Sequence, residues 1–241
     1  MLKIQKYSLV ALMVGTVVSG SVFANEKTDA KFNDDVSYAL TAYSMTQAKL
    51  MADQGEIKLN PEQVNQAVAD VLNSKISEEK IGELTKTLER FEQRMMEREQ
   101  AKVQEIAQKA QEEGDKYRAD FAKKEGVKTT KSGLLYRVIE AGKGDAIKPT
   151  DIVKVNYTGK LPGGKVFDSS VERGQPAEFR LNQVVKGWTE GLQLVKKGGK
   201  IELVLPPELA YGEQGAGAAI PPNATLYFEV EVLDVNPKAA K

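Results

Sequence analysis

The 241-residue sequence predicts an α+β protein: a helical N-terminal half with a long connecting helix, then an antiparallel sheet wrapped on one short helix. Two observations predict it. Apolar residues recur at helical spacing up to Gly126, then alternate in strand fashion from Ile152 to Val232. In that second half only Gln183 to Val195 keeps a helical period, and it carries the only tryptophan, Trp188. The length suits one compact domain with an appendage.

Composition narrows the chemistry before any motif does. Basic and acidic residues balance at 34 each, so there is no electrostatic case for nucleic acid, which would want a basic face. It has no cysteine and no histidine, which excludes a thiolate nucleophile, a Ser-His-Asp triad and a zinc site of thiolate or imidazole ligands. Its acids are not clustered at the spacing of a calcium or magnesium loop, so neither metal nor cofactor is expected.

Residues 1–24 read as a signal peptide. Lys3 and Lys6 form a basic start, Leu9 to Val18 is a short apolar run, and Val22-Phe23-Ala24 offers cleavage after Ala24. The run is too short for a comfortable bilayer span, so the mature form is expected to have none. Cleavage leaves 32 basic against 34 acidic residues, an exported protein that would be periplasmic in a Gram-negative cell.

Residues 25–76 read as a helical dimerisation arm. Val36, Leu40, Tyr43, Ala48 and Met51 recur at roughly helical spacing from about Asp34, and Gly55 supplies a stop. Asn60-Pro61-Glu62-Gln63 opens a second helix, with Asn60 as cap, Pro61 at the first turn and Gln63 placed to complete a capping box. Residues 77–125 read as one long helix of about 49 residues, on the order of 70 Å. Ile81, Leu84, Leu88, Phe91 and Met95 form a heptad seam on it. Beyond Met96 the surface is charged, with Glu105–Lys109, Glu112–Lys116 and Asp120–Lys124 at i,i+4. Gly114 within that part reads either as a hinge or as a tolerated glycine. Three helices with so few large residues cannot bury a core alone, so the arm is expected to pair with a second copy, the rest of the long helix acting as a stalk. An internal three-helix bundle in a monomer is the other reading.

From residue 126 to 241 the period is that of a sheet. Val153, Val155 and Tyr157 alternate with Lys154 and Asn156, and Pro162-Gly163-Gly164 turns into a strand at Val166-Phe167. Ile201, Leu203 and Leu205 alternate in the same way, as do Leu226, Phe228, Val230 and Val232. These are half-buried strands with one wet face. The Gln183–Val195 helix covers the dry face, and its two glycines, Gly187 and Gly191, imply that its backbone lies close against the sheet, with Trp188 as the floor of the remaining concavity.

Six ordered motifs carry a resemblance. Val155-Asn156-Tyr157-Thr158-Gly159, Phe167-Asp168-Ser169-Ser170, Gly187-Trp188, Ala210-Tyr211-Gly212, Ile220-Pro221-Pro222 and Ala224-Thr225-Leu226 resemble the FKBP family of peptidyl-prolyl isomerases over roughly residues 130–236. With the export signal and helical first half, the chain resembles the periplasmic FkpA and macrophage infectivity potentiator subgroup. The resemblance implies an FKBP-type domain at 126–241 with a short polar tail. It implies rotation about X–Pro bonds in unfolded exported proteins, an associated chaperone activity, a homodimer, and binding of macrolides such as tacrolimus and rapamycin.

The same resemblance implies roles for individual residues. Trp188 is the platform under the proline ring, and Asp168 sits beside the twisting carbonyl with its charge fixed by Arg173. Tyr157, Phe167, Val184, Val185 and Phe228 are the walls. The Val185 N–H and the Tyr211 hydroxyl bond the substrate backbone, and Ile220 lies on a flap from Gly212 to Pro222. On the residues alone Asp168 reads as a turn acid, and Phe179 and Tyr136 read as core. Ala177 stands where many members have a large apolar residue and Ala216 where some have histidine; the Leu181–Val184 segment is shorter than in the best-known members. The rival function is a non-catalytic holdase or interaction protein that keeps the fold for binding alone.

Overall fold

The computed structural model describes residues 30–237, and these form the expected α+β arrangement. The expected signal peptide, residues 1–24, and the end of the expected polar tail lie outside the described residues. Compact units divide between Glu99 and Gln100.

The first unit is helical. Helix α1 spans Ala30–Gln54, α2 spans Pro61–Leu72, and α3 spans Glu78–Ala122, its 45 residues crossing into the second unit. The Asn60 side chain accepts from the Glu62 N–H at 2.9 Å and the Gln63 N–H at 3.5 Å, and Ser77 Oγ accepts from the Lys80 N–H at 3.2 Å. Both caps thus satisfy N–H groups that the first turn leaves without an internal partner. Gln63 contributes its main chain to this cap, and the return half of the expected capping box is not formed among the described residues.

Inside this unit the heptad seam splits in two. A Cβ at Gly55 would lie 2.5 Å from Phe91 Cε2 and 3.1 Å from Met95 Sδ, so the bare glycine admits these two side chains. Arg98 Nη1 closes the corner by donating to the Gly55 carbonyl at 2.8 Å. Ile81, Leu84 and Leu88 stay exposed, as do Val36, Leu40 and Tyr43 on α1. Ala52 is the one apolar side chain buried in this unit among the described residues, so the three helices have no core of their own.

The second unit contains a seven-stranded antiparallel sheet: β1 Lys128–Thr129, β2 Leu135–Glu140, β3 Ile152–Lys160, β4 Val166–Ser169, β5 Ala177–Arg180, β6 Lys200–Leu205 and β7 Leu226–Val235. The order is β1-β2-β6-β7-β3-β4, with β5 also pairing with β3. Alternate residues Val153, Val155 and Tyr157 of β3, Ile201, Leu203 and Leu205 of β6, and Phe228, Val230 and Val232 of β7 build the core of the inner face.

Helix α4 on that face is shorter than expected. It runs from Lys186 to Gly191, flanked by 3-10 turns at Leu181–Gln183 and Leu192–Leu194, because Val184 and Val195 are extended. The two glycines act as expected. A Cβ at Gly187 would fall 2.3 Å from Leu205 Cγ, and one at Gly191 2.5 Å from Leu203 Cδ2, so the helix backbone lies directly on β6.

The outer face is not uniformly wet, and the end of α3 is not a free stalk. Phe121 is 1% exposed and packs with Leu135 and Val204, with Tyr117, Val127 and Tyr227 around it. The Phe121 and Tyr227 rings meet edge-on at 6.2 Å. Beside them Glu202 accepts from Tyr227 Oη at 2.9 Å and from Arg137 Nε at 2.5 Å. Burial works against the Glu202 charge, but these two bonds outweigh it and hold the carboxyl below its usual range. The unit boundary therefore precedes Gly126, since the last turns of α3 fill an apolar patch on the sheet. The three expected i,i+4 pairs are likewise not formed among the described residues. Lys123 pairs with Asp120 at 3.0 Å, and Lys124 lies over the Phe121 ring, 5.0 Å from its centroid.

No helix among the described residues is long and apolar enough to cross a membrane. Phe121→Ala is expected to destabilise the sheet unit by about 3–5 kcal/mol, the usual cost of emptying such a site. Urea unfolding followed by Trp188 fluorescence checks this, and a loss below about 0.5 kcal/mol would show that the helix end is dispensable.

Candidate functional site

The inner face of β3, β5 and β7 and the short α4 converge on an aromatic cup. Trp188 projects from α4 and meets Tyr157 of β3 at 5.1 Å, Phe228 of β7 at 5.3 Å and Phe179 of β5 at 5.6 Å, all edge-to-face. Phe167 of β4 meets Phe228 at 5.5 Å, again edge-on. This last contact depends on Gly159, which faces Phe228 in the β3–β7 register. A Cβ there would fall 2.6 Å from Phe167 Cζ and 2.8 Å from Phe228 Cε1. Such edge-to-face geometry suits aromatic quadrupoles and fixes each ring by its neighbours. Trp188 is 4% exposed, and its buried indole Nε1 has no hydrogen-bond partner among the described residues.

Phe179 packs against the core, as read, and its ring also meets Trp188 in this cup. The four-residue β5 is too short to announce itself by alternation; only its pairing with β3, which sets Phe179 opposite Val153, turns the ring toward Trp188.

One polar cluster stands at the rim. Asp168 lies within β4, paired with Gly159, so it is a strand residue and not a turn acid. Two buried serines set its position. Ser170 Oγ accepts from the Tyr157 N–H at 2.8 Å, and the Ser170 N–H donates to the Tyr157 carbonyl at 3.0 Å. Ser169 Oγ lies 3.0 Å from Thr158 Oγ1. With β4 held to β3 in this way, the Tyr157 hydroxyl donates to one Asp168 oxygen and Arg173 Nη1 to the other. Arg173 Nη2 also donates to Tyr157 Oη at 3.0 Å, and its guanidinium lies 5.6 Å from the Tyr157 ring centroid.

These contacts set the charge state. Burial alone would push the Asp168 carboxyl up, but the bonds from Tyr157 and Arg173 outweigh it and hold the group below the usual carboxylate range. Burial and the bond to Asp168 push the Tyr157 hydroxyl up, so it stays a proton donor at neutral pH. Tyr157 thus serves the cup twice, with its ring as a wall and its hydroxyl as a clamp on Asp168. The sequence pattern carries only the first role.

The remaining residues stand around this centre. Val184 and Val185 are half-buried against the core at the start of α4. The Val185 carbonyl accepts from the N–H groups of Trp188 at 3.0 Å and Thr189 at 3.2 Å, while no group among the described residues accepts from its own N–H. Ile220 is buried in the same core. It closes a tight loop in which the Ala216 N–H donates to the Ile220 carbonyl at 2.8 Å and the Ile220 N–H donates to that of Ala216 at 3.2 Å. Gly215 is required at this closure: its φ is 63°, and a Cβ would fall 2.4 Å from the Ile220 oxygen. Tyr211 is the outlying member, 43% exposed, its hydroxyl without a partner among the described residues.

Because the folded pKa of Asp168 lies below its unfolded value, the stability it contributes is complete above about pH 4 and is lost as pH falls through the folded pKa. Wild type and Asp168→Asn should therefore differ in urea midpoint at about pH 7 and converge toward about pH 2. A gap of constant size over that range would show that the ion cluster contributes nothing.

Comparison with known proteins returns two family matches along the chain. Residues 33–138 match a domain amino terminal to FKBP-type peptidyl-prolyl isomerase, and residues 143–233 match FKBP-type peptidyl-prolyl cis-trans isomerase. A probable FKBP-type peptidyl-prolyl cis-trans isomerase of Haemophilus influenzae is 57% identical over the whole of both chains. The FKBP-type peptidyl-prolyl cis-trans isomerase FkpA of Escherichia coli K12 is 48% identical over 89% of this chain and 80% of its own. The crystal structure of FkpA from Escherichia coli superposes with a TM-score of 0.65 at 46% identity, covering 89% of this chain and 99% of that one.

Proposed function

The chain belongs to the FKBP-type peptidyl-prolyl cis-trans isomerases, and we propose that the Trp188 cup with Asp168 at its rim is where it rotates X–Pro bonds. The reaction needs neither nucleophile nor base. Its barrier, about 18–20 kcal/mol, is the resonance of the amide itself. As the bond twists, nitrogen becomes pyramidal, the carbonyl loses conjugation and the amide becomes less polar. A dry aromatic cup favours that twisted form, and fixed dipoles around it favour it further.

The observation that carries this reading is the Tyr157–Asp168–Arg173 cluster, an ionised carboxylate held rigidly beside an aromatic floor. Trp188 takes the proline ring. Tyr157, Phe167, Val184, Val185 and Phe228 wall it, with Phe179 added. Asp168 lies beside the twisting carbonyl, and Arg173 prevents it from drifting. The Val185 N–H and the Tyr211 hydroxyl, both without a partner among the described residues, are the donors left for the substrate backbone, and Ile220 closes the flap over it. Macrolides such as rapamycin and tacrolimus compete for the same cup, with Ala177 and Ala216 setting the fit.

Asp168→Ala is expected to lower kcat/KM for a Leu-Pro or Phe-Pro peptide about tenfold, and Tyr211→Phe about two- to fivefold, with the far-UV spectrum intact. A proline-limited refolding assay and peptide exchange by NMR read both. Variants as active as wild type, in a protein that still suppresses aggregation of a client whose folding is not proline-limited, would point to the binding-only rival.

The helical unit is read as a homodimerisation arm of a periplasmic chaperone, two cups holding one non-native chain while its prolines isomerise. In support, Ile81, Leu84 and Leu88 are exposed on one seam of a unit whose one buried apolar side chain among the described residues is Ala52. Light scattering should return twice the chain mass, and Leu84→Glu combined with Leu88→Glu should return one chain mass. A monomeric wild type would refute the dimer.

A further inference from the structure

Gly114 and Arg118 in the last third of α3 have an unexpected partner. A Cβ at Gly114 would lie 2.4 Å from Thr225 Oγ1 and 2.9 Å from Thr225 Cβ. The glycine is therefore neither a hinge nor merely tolerated: the helix backbone rests on Thr225, and no side chain fits between them. Arg118 Nη1 donates to Thr225 Oγ1, while Arg118 Nη2 donates to Asp115 one turn back on the same helix. Thr225 is fully buried, one of only three buried polar side chains among the described residues. A buried hydroxyl without a partner is costly, so this bond determines where Thr225 can sit.

The position matters because of what lies next to it in the chain. Thr225 follows the flap and leads into β7, whose first residue, Leu226, is fully buried. Two residues earlier, the Asn223 N–H donates to the Gly212 carbonyl at 2.9 Å and ties the two ends of the flap together. Gly212 is the neighbour of Tyr211. Within the flap, Gly215 and Ala216 hold Ile220 against the core. The connection from α3 to the cup is thus short and made of bonded groups: Gly114 and Arg118 to Thr225, then Asn223 to Gly212, with Tyr211 on one side and Ile220 on the other.

We infer that Gly114, Arg118 and Thr225 are positioning residues for the isomerase site, with α3 setting the height of the flap over the cup. None of them touches substrate; they act through Tyr211 and Ile220. The inference rests on reading Tyr211 and Ile220 as substrate contacts. It explains a glycine inside a long helix, where alanine would ordinarily be the better residue. It also assigns the end of α3 a part in the reaction as well as in packing.

The test compares isosteric changes in the full chain. Thr225→Val keeps the shape and removes the acceptor, whereas Thr225→Ser keeps the acceptor. Thr225→Val and Arg118→Ala are expected to lower kcat/KM for a Phe-Pro peptide about three- to tenfold, since small misplacements of positioned groups are costly. Thr225→Ser should remain within about twofold of wild type. The amide NMR signals of Ile220 and Gly212 should move in the two impaired variants and stay in Thr225→Ser. Wild-type kcat/KM in Thr225→Val and Arg118→Ala, with or without a lower Tm, overturns the inference and leaves a purely structural brace. An inactive wild-type chain overturns it together with the site reading, so the two failures are distinguishable.

Discussion

The contact on which the site depends is the bare backbone of α4 pressed onto β6. Gly187 and Gly191 sit one turn apart, and each replaces a side chain that would collide with Leu205 or Leu203. Only at that separation does Trp188 come down between Tyr157, Phe179 and Phe228 and close the floor of the cup. Two glycines in a six-residue helix would each cost about 1 kcal/mol of intrinsic propensity, so the helix persists through packing and not through its own preference.

A second constraint makes the cup chemical as well as apolar. Ser169 and Ser170 are buried, and both are spent on bonding β4 to β3 around Tyr157. That register brings the Tyr157 hydroxyl onto Asp168, and the loop after β4 returns Arg173 to the same carboxylate. A carboxylate at the rim of an aromatic cup would otherwise be driven toward protonation by burial. The three-residue cluster keeps it ionised, and its orientation is fixed because both oxygens are engaged.

The helical half follows a different logic. Its unit has almost no interior, and its apolar groups are divided between the Gly55 corner and an exposed seam. Past Gln100 the same helix becomes part of the sheet unit, with Phe121 in the patch of Leu135 and Val204, and Gly114 on Thr225. One continuous α3 therefore contributes an unpartnered apolar seam near one end and a packed face near the other.

Much of this was legible in the sequence for reasons local to the chain. Helical and alternating periods placed four helices and four strands, the Asn60 cap located one helix start, and the paired glycines announced a close approach to the sheet. Absent cysteine and histidine excluded most chemistry outright, and six ordered motifs indicated the family and Trp188 as the floor. The tertiary structure alone decided the rest, because it depends on register and on contacts between distant residues. The two-, six- and four-residue strands β1, β2 and β5 acquire meaning only from their partners, and with β5 comes Phe179. Asp168 looked like a turn acid until pairing with Gly159 made it a strand residue clamped by Tyr157. Gly114 looked like a hinge or a lapse in a helix, and nothing within ten residues of it could have shown otherwise. Its reason is a threonine 111 positions away, brought alongside by the fold.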